Sequence, residues 1–182
     1  MRIITGRAKG LKLKTPAGLN TRPTSDRVKE SLFSILNGLI DFAEVGAVLD
    51  IFAGTGALGL EAMSRGATST TFIDTATTAI IGDNITRAKF DNCRNLRGDF
   101  DKILRRLAKE GATFDLIFSD PPYDKGLAQR SLTLIEELGL LNVGGLMVIE
   151  HGAAEVLTSD FELIRKITYG NTTAIEIFSG SR

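Results

Sequence analysis

From Val45 onward, short apolar runs alternate with longer stretches whose apolar positions recur at helical spacing. The runs fall at residues 48–51, 70–74, 95–97 and 114–118, and the helical stretches between and after them reach Arg65, Lys89, residues 102–110 and residues 127–138. Strands alternating with helices predict a parallel, doubly wound α/β sheet of Rossmann-like type. After Gly144-Gly145 the run 146–150 is a fifth strand, and 161–167 and 173–178 are a sixth and seventh, separated by the turn residues Tyr169-Gly170-Asn171. The mostly parallel seven-stranded sheet therefore ends in an antiparallel hairpin.

The chain before Val45 patterns differently. Residues 2–5 and 11–14 are short strands of a hairpin with Ala8-Lys9-Gly10 near its turn, and a Pro/Gly-rich connector spans 16–23. Thr24-Ser25-Asp26 then open a helix whose apolar face is Val28, Leu32, Ile35, Leu36 and Leu39. At 182 residues with 43% hydrophobic and 24% charged positions, one domain is expected, with residues 1–24 as its basic N-terminal hairpin and connector.

Net charge is zero, but its distribution is uneven. Residues 1–30 hold eight basic and two acidic groups, an excess of +6, so the remaining chain carries −6. A basic arm on an acidic body points either to one face meeting an anion or to a solvated basic face, and on the first reading Arg7, Lys9, Arg22 and Arg27 are candidate phosphate contacts. Cys93 is the sole cysteine, which excludes an intrachain disulfide and a cysteine zinc cluster, and no metal site is expected. No apolar run has the length of a membrane span and the N-terminus lacks a signal-peptide stretch, so the expected location is the cytoplasm.

Ligands of open α/β sheets bind beyond the carboxyl ends of the strands, so the loops there hold the candidate chemistry. Asp50-Ile51-Phe52-Ala53-Gly54-Thr55-Gly56-Ala57-Leu58-Gly59 follows a strand and opens a helix, the context of a nucleotide-binding turn. Gly54, Gly56 and Gly59 also fit a dinucleotide fingerprint, so a nicotinamide dehydrogenase is a rival reading. Asp50 argues for S-adenosylmethionine instead, because a carboxylate is awkward beside a pyrophosphate and complementary to the cationic amino-acid end of a sulfonium cofactor. Phe52, Gly54, Thr55 and Gly56 are expected to line that cofactor. Asp74, twenty positions after Gly54, suits ribose hydroxyls. Asp99 suits an adenine amine or a helix cap, with Phe100 packing beside it.

Asp120-Pro121-Pro122-Tyr123 follows the fourth strand directly. Two prolines fix the backbone and remove two amide donors, leaving a stiff ledge from which the Asp120 carboxylate and the Pro121 carbonyl point together. Two acceptors gripping both hydrogens of a planar aromatic amine favour a pyramidal nitrogen whose lone pair faces the methyl donor. Methyl transfer is an in-line displacement, so this orientation supplies much of the catalysis. Tyr123 suits stacking on a splayed or flipped base.

With these residues the chain resembles the RsmD family of bacterial 16S ribosomal RNA guanine-N2 methyltransferases over almost its whole length. The stretch from Leu49 to Ala62 is similar to that family's cofactor loop and Asp120-Pro121-Pro122-Tyr123 to its amine-binding loop. More specific is an N-terminal block: Arg2-Ile3-Ile4, Gly6, Lys9-Gly10, Leu19, Arg22-Pro23-Thr24, Asp26-Arg27-Val28, Glu30 and Leu32-Phe33. The resemblance implies a class I methyltransferase fold, S-adenosylmethionine as cofactor, a guanine amine in small-subunit ribosomal RNA as acceptor, and a basic arm that grips RNA without an obligate protein partner. One departure is Ala76, where members often carry a second acidic residue. A DNA amino-methyltransferase shares the loop chemistry but usually adds a target-recognition region. A protein glutamine methyltransferase typically has Asn at Asp120, and a non-catalytic RNA-binding assembly factor has no need of the intact ledge. His151 reads as a satisfied polar group in or after a strand, and Tyr169 as packing or turn.

Overall fold

The computed structural model describes residues 1–16, 26–123 and 125–180. Seven strands, β1 (Ala47–Ile51), β2 (Ser69–Asp74), β3 (Cys93–Arg97), β4 (Phe114–Ser119), β5 (Leu141–Gly152), β6 (Glu162–Tyr169) and β7 (Thr173–Ser179), form one sheet in the order β3-β2-β1-β4-β5-β7-β6. The first five are parallel, and β7 runs antiparallel between β5 and β6. Strand order reverses between β1 and β4, which opens a crevice at their carboxyl ends.

Among the described residues five helices cover the sheet: α1 (Asp26–Asn37), α2 (Ala57–Arg65), α3 (Thr78–Ala88), α4 (Phe100–Lys109) and α5 (Leu127–Leu138). The central strands are apolar on both sides because both faces are covered. On one face Val48, Phe72, Leu116, Phe118 and Val148 meet α1, α2 and α3, and on the other Leu49, Ile51, Ile117, Met147 and Ile149 meet α4 and α5. None of the described helices is long and apolar enough to cross a membrane.

Three local expectations shift and a fourth is not described. The fifth strand starts at Leu141, earlier than 146, because Gly144, at φ 74, is absorbed as an irregularity inside it. Helix α4 starts at Phe100, since the Asp99 side chain accepts the Lys102 amide at 3.2 Å and caps it. In α1 the buried set is Lys29, Leu32, Phe33 and Leu36, while Leu39 lies beyond the helix and is 41% exposed. Thr24 and Ser25, expected to cap α1, lie outside the described residues.

The N-terminal hairpin forms with little strand pairing: a single bridge joins Arg2 and Lys12. The amides of Ile3, Gly10 and Leu13 bond across the hairpin, to the carbonyls of Leu11, Ile3 and Met1, while others turn to α2. Ile4 and Thr5 donate to the Glu61 carboxylate at 2.8 and 3.1 Å, Arg7 donates to the Ser64 carbonyl at 2.9 Å, and Ala8 donates to the Ser64 hydroxyl at 3.0 Å. Acceptors on a helix thus serve the amides that the hairpin leaves unpaired.

Candidate active site

Ile51 and Ser119 are the last paired residues of β1 and β4. Phe52 and Asp120 follow them side by side, and the Asp120 amide donates to the Ile51 carbonyl at 3.4 Å. The acidic ledge and the glycine turn therefore flank one crevice at the strand-order reversal.

The glycine turn is held by carboxylates. Gly54 (φ 56) and Gly56 (φ 77) take left-handed conformations that glycine adopts without steric cost. Phe52 does so too, at φ 59, a strained setting for a bulky side chain; its ring packs on Phe100 with centroids 4.8 Å apart. Gly59 has another purpose: a Cβ there would lie 2.5 Å from the Phe72 ring, so its absence lets α2 settle on β2. The Gly59 amide donates to Asp50 at 2.9 Å, and the Gly54 amide donates to Asp74 at 3.0 Å. The other Asp74 oxygen accepts the amides of Ala76 and Thr77 at 2.8 and 2.9 Å. Asp50 is only 2% exposed, and burial pushes its carboxyl up to about 7.

The predicted cofactor residues thus share the carboxyl ends of β1, β2 and β3, but their visible bonds are internal. Asp50 braces the first turn of α2, Asp74 gathers the glycine turn and the loop after β2, and Asp99 caps α4. The Thr55 carbonyl accepts Asn84 at 3.0 Å, and the Thr55 hydroxyl donates to the Met1 sulfur at 3.5 Å, so the start of the arm sits against the glycine turn.

Across the crevice Pro121 is buried and Pro122 exposed. The half-buried Tyr123 donates its hydroxyl proton to the Glu150 carboxylate and lies 3.1 Å from the Thr173 hydroxyl. Burial, then the bond to Glu150, push the Tyr123 phenol well above its ordinary value. Sequence reasoning missed Glu150. The available signal was a carboxylate closing an apolar strand at the same sheet edge as Asp120.

The basic arm divides. Arg7 and Lys9 sit at the hairpin tip, beside the last turn of α2, with the Arg7 guanidinium 4.4 Å above the Phe90 ring. Helix α2 runs away from the glycine turn for nine residues, about 13 Å, so the tip belongs to the opposite end of the sheet. Arg27 is exposed on the first turn of α1, next to Asp26, which contacts Arg2 near the glycine turn. Arg22 lies outside the described residues. Lys29, one of the eight basic groups, is fully buried: it donates to the Arg2 carbonyl at 2.5 Å and pairs with Glu61 at 3.1 Å. Burial lowers its ammonium, against the pull of Glu61. Arg65, itself bonded to Glu61 at 2.9 Å, lies 4.8 Å above the Phe33 ring. His151 is fully buried, with Nδ1 2.9 Å from the Gly152 carbonyl and Nε2 3.4 Å from Glu176 without a hydrogen bond among the described residues. It is therefore only partly satisfied.

Comparison with known proteins bears on the whole chain. The model of a family described as conserved hypothetical protein 95 matches residues 1–178. YlbH of Bacillus subtilis is 39% identical over 178 residues, covering 94% of this chain and 95% of its own. Ribosomal RNA small subunit methyltransferase D of Escherichia coli is 38% identical over 152 residues, covering 82% and 74%. The solved structure of yhhF from Escherichia coli superposes with a TM-score of 0.84 at 33% identity, over 100% of this chain and 99% of that one. Matched by the family model over residues 1–178 and 38% identical over 152 residues to a small-subunit methyltransferase D, the chain belongs to the RsmD family.

Proposed function

We propose that this protein transfers a methyl group from S-adenosylmethionine to the exocyclic N2 amine of a guanine in small-subunit ribosomal RNA. The observation that carries the reading is the placement of Asp120 beside the glycine turn, at the reversal between β1 and β4. The name of the Escherichia coli relative, a small-subunit ribosomal RNA methyltransferase, supports the substrate class.

The residues present suit the cofactor. Phe52, Gly54, Thr55 and Gly56 form its wall, with backbone approachable where side chains are absent. Asp74 and Asp99 offer acceptors to ribose and adenine, and Phe100 packs beneath Phe52. Asp50, enclosed behind the turn, contributes a negative field toward the amino-acid end once ionised. Bound there, the sulfonium supplies an electrophilic methyl carbon. Asp120 and the Pro121 carbonyl accept the two amine hydrogens and aim the nitrogen. The Asp120 carboxylate then takes the proton the amine loses once its fourth bond has formed. Tyr123 stacks on the base, and Arg27 with Arg22 contacts RNA phosphates.

The test is incubation with methyl-labelled S-adenosylmethionine and, in separate arms, small subunits, free ribosomal RNA and DNA from cells lacking the enzyme. Label is expected on a guanine N2 in ribosomal RNA alone. Label in DNA, or in none of the three, overturns the reading.

A further inference from the structure

We infer that Glu150 and Thr173 are positioning residues that hold the Tyr123 ring by its hydroxyl, making it a preset wall beside the Asp120 carboxylate. The inference rests on the proposed methyl transfer and names a part of the site that the motif itself does not contain.

The sheet explains how the two residues reach Tyr123. β4 ends at Ser119, opposite Ile149, whereas β5 continues through Glu150 to Gly152, paired there only with β7. The overhang rises one to three residues above the end of β4, alongside the ledge that β4 feeds. Glu150 and Gly152 share one face of β5, and Gly152 stands opposite Thr173 of β7, so Glu150 and Thr173 face the same way. The antiparallel end of the sheet thus builds a bracket for the catalytic loop.

The hydroxyl chemistry is complete. A phenol has one proton and lone pairs to accept with. Its proton goes to Glu150, so the Thr173 hydroxyl, 3.1 Å away, donates to the phenol oxygen. The raised phenol keeps that proton in place throughout the neutral range. Pro121 and Pro122 stiffen the backbone before Tyr123 but leave its ring free to rotate; the two bonds at the far end of the ring remove that freedom. A base stacked on a fixed ring has its amine placed for in-line attack, so the tether acts on orientation and hence on the rate of transfer, not on cofactor affinity.

The experiment compares single-turnover methyl transfer to small subunits and cofactor binding in Tyr123→Phe, Glu150→Ala, Glu150→Gln and the Tyr123→Phe/Glu150→Ala double variant. Losing a charge-assisted hydrogen bond is expected to slow transfer about 10- to 100-fold in Tyr123→Phe and Glu150→Ala, with cofactor affinity unchanged. Glu150→Gln keeps an acceptor oxygen and is expected to recover most of the rate lost in Glu150→Ala. The double variant should be no slower than Tyr123→Phe, within about twofold, because loss of the hydroxyl already removes the bond to Glu150. Multiplying effects, or an unaffected rate in Tyr123→Phe, overturn the inference. A second readout needs no activity: in a Tyr169→Phe background Tyr123 is the only tyrosine, and Glu150→Ala should move its alkaline titration to lower pH. Should wild-type protein transfer no label, the proposed function fails, and an unmoved titration then overturns the tether by itself.

Discussion

The glycine turn after β1 and the proline ledge after β4 leave adjacent strands at the same height, yet they are stiffened by opposite means. The turn keeps its amides and has them gathered by carboxylates: Gly59 by Asp50, and Gly54, Ala76 and Thr77 by Asp74. The ledge discards two amides as prolines and is bound at its far end by a side chain, Tyr123 to Glu150 and Thr173. A turn that must let a ligand approach its backbone cannot be filled with side chains, so support comes from behind. A ledge that must present one carboxylate and one carbonyl gains from having no competing donors. Cofactor binding and methyl transfer should therefore fail separately when the two loops are damaged.

The largest effect is expected at the ledge. Asp120→Ala should reduce transfer at least 100-fold, the scale seen when one preorganised polar partner of a transition state is removed. Cofactor affinity, measured by calorimetry, should stay within a few-fold. Equal loss of both would erase the distinction between the loops.

On the turn, Asp50 gives a pH-dependent effect. Burial lifts its carboxyl from 3.8 to about 7, so the native chain holds this proton more tightly than the unfolded chain does. Between pH about 4 and 7 the native state then carries the extra proton, and raising the pH through that window lowers stability, on the order of a few kcal/mol in total. Asp50→Asn retains an oxygen for the Gly59 amide and has no proton to lose. Its stability should be flat across the window and exceed wild type at pH 8 without cofactor, while cofactor binding weakens. Parallel denaturation curves for the two proteins from pH 4 to 8 would contradict this account of Asp50.

A third effect separates packing from charge on the same turn. Gly59→Ala places a methyl group 2.5 Å from the Phe72 ring and 2.7 Å from the Thr70 methyl, both buried on β2. Forcing α2 outward is expected to cost about 1–3 kcal/mol and to weaken cofactor binding with it, since the glycine turn leads into that helix. Chemical denaturation and cofactor titration of one sample would show the two losses together.

How much of this was legible in the chain depends on how local the cause is. Strand and helix alternation, the glycine turn and the ledge are written in consecutive residues, and the sheet and its crevice follow from them. The cap that starts α4 at Phe100 was readable in Asp99. Glu61 was not, since a carboxylate amid the apolar positions of a helix reads as solvated until Ile4, Thr5, Lys29 and Arg65 converge on it from three segments. Glu150 escaped for the same reason, its partner Tyr123 being 27 positions away. Lys29 was counted as part of a basic surface because charge tallies ignore burial.

The smallest effect tests the arm, where charge alone would rank Arg7 and Arg27 as equals. The glycine turn lies near the start of α1, whereas the hairpin tip is about one helix length, some 13 Å, away. An RNA fragment just large enough to carry the target nucleotide can therefore meet Arg27 without reaching Arg7. Arg27→Ala should weaken binding of such a fragment and reduce the slope of log affinity against log salt by about 1, as expected when one phosphate contact is lost. Arg7→Ala should leave that slope unchanged with the fragment, since its guanidinium is already engaged over Phe90. Equal slopes in the two variants would mean that RNA runs the full height of α2, and that the opposite edge of the sheet belongs to the substrate face as well.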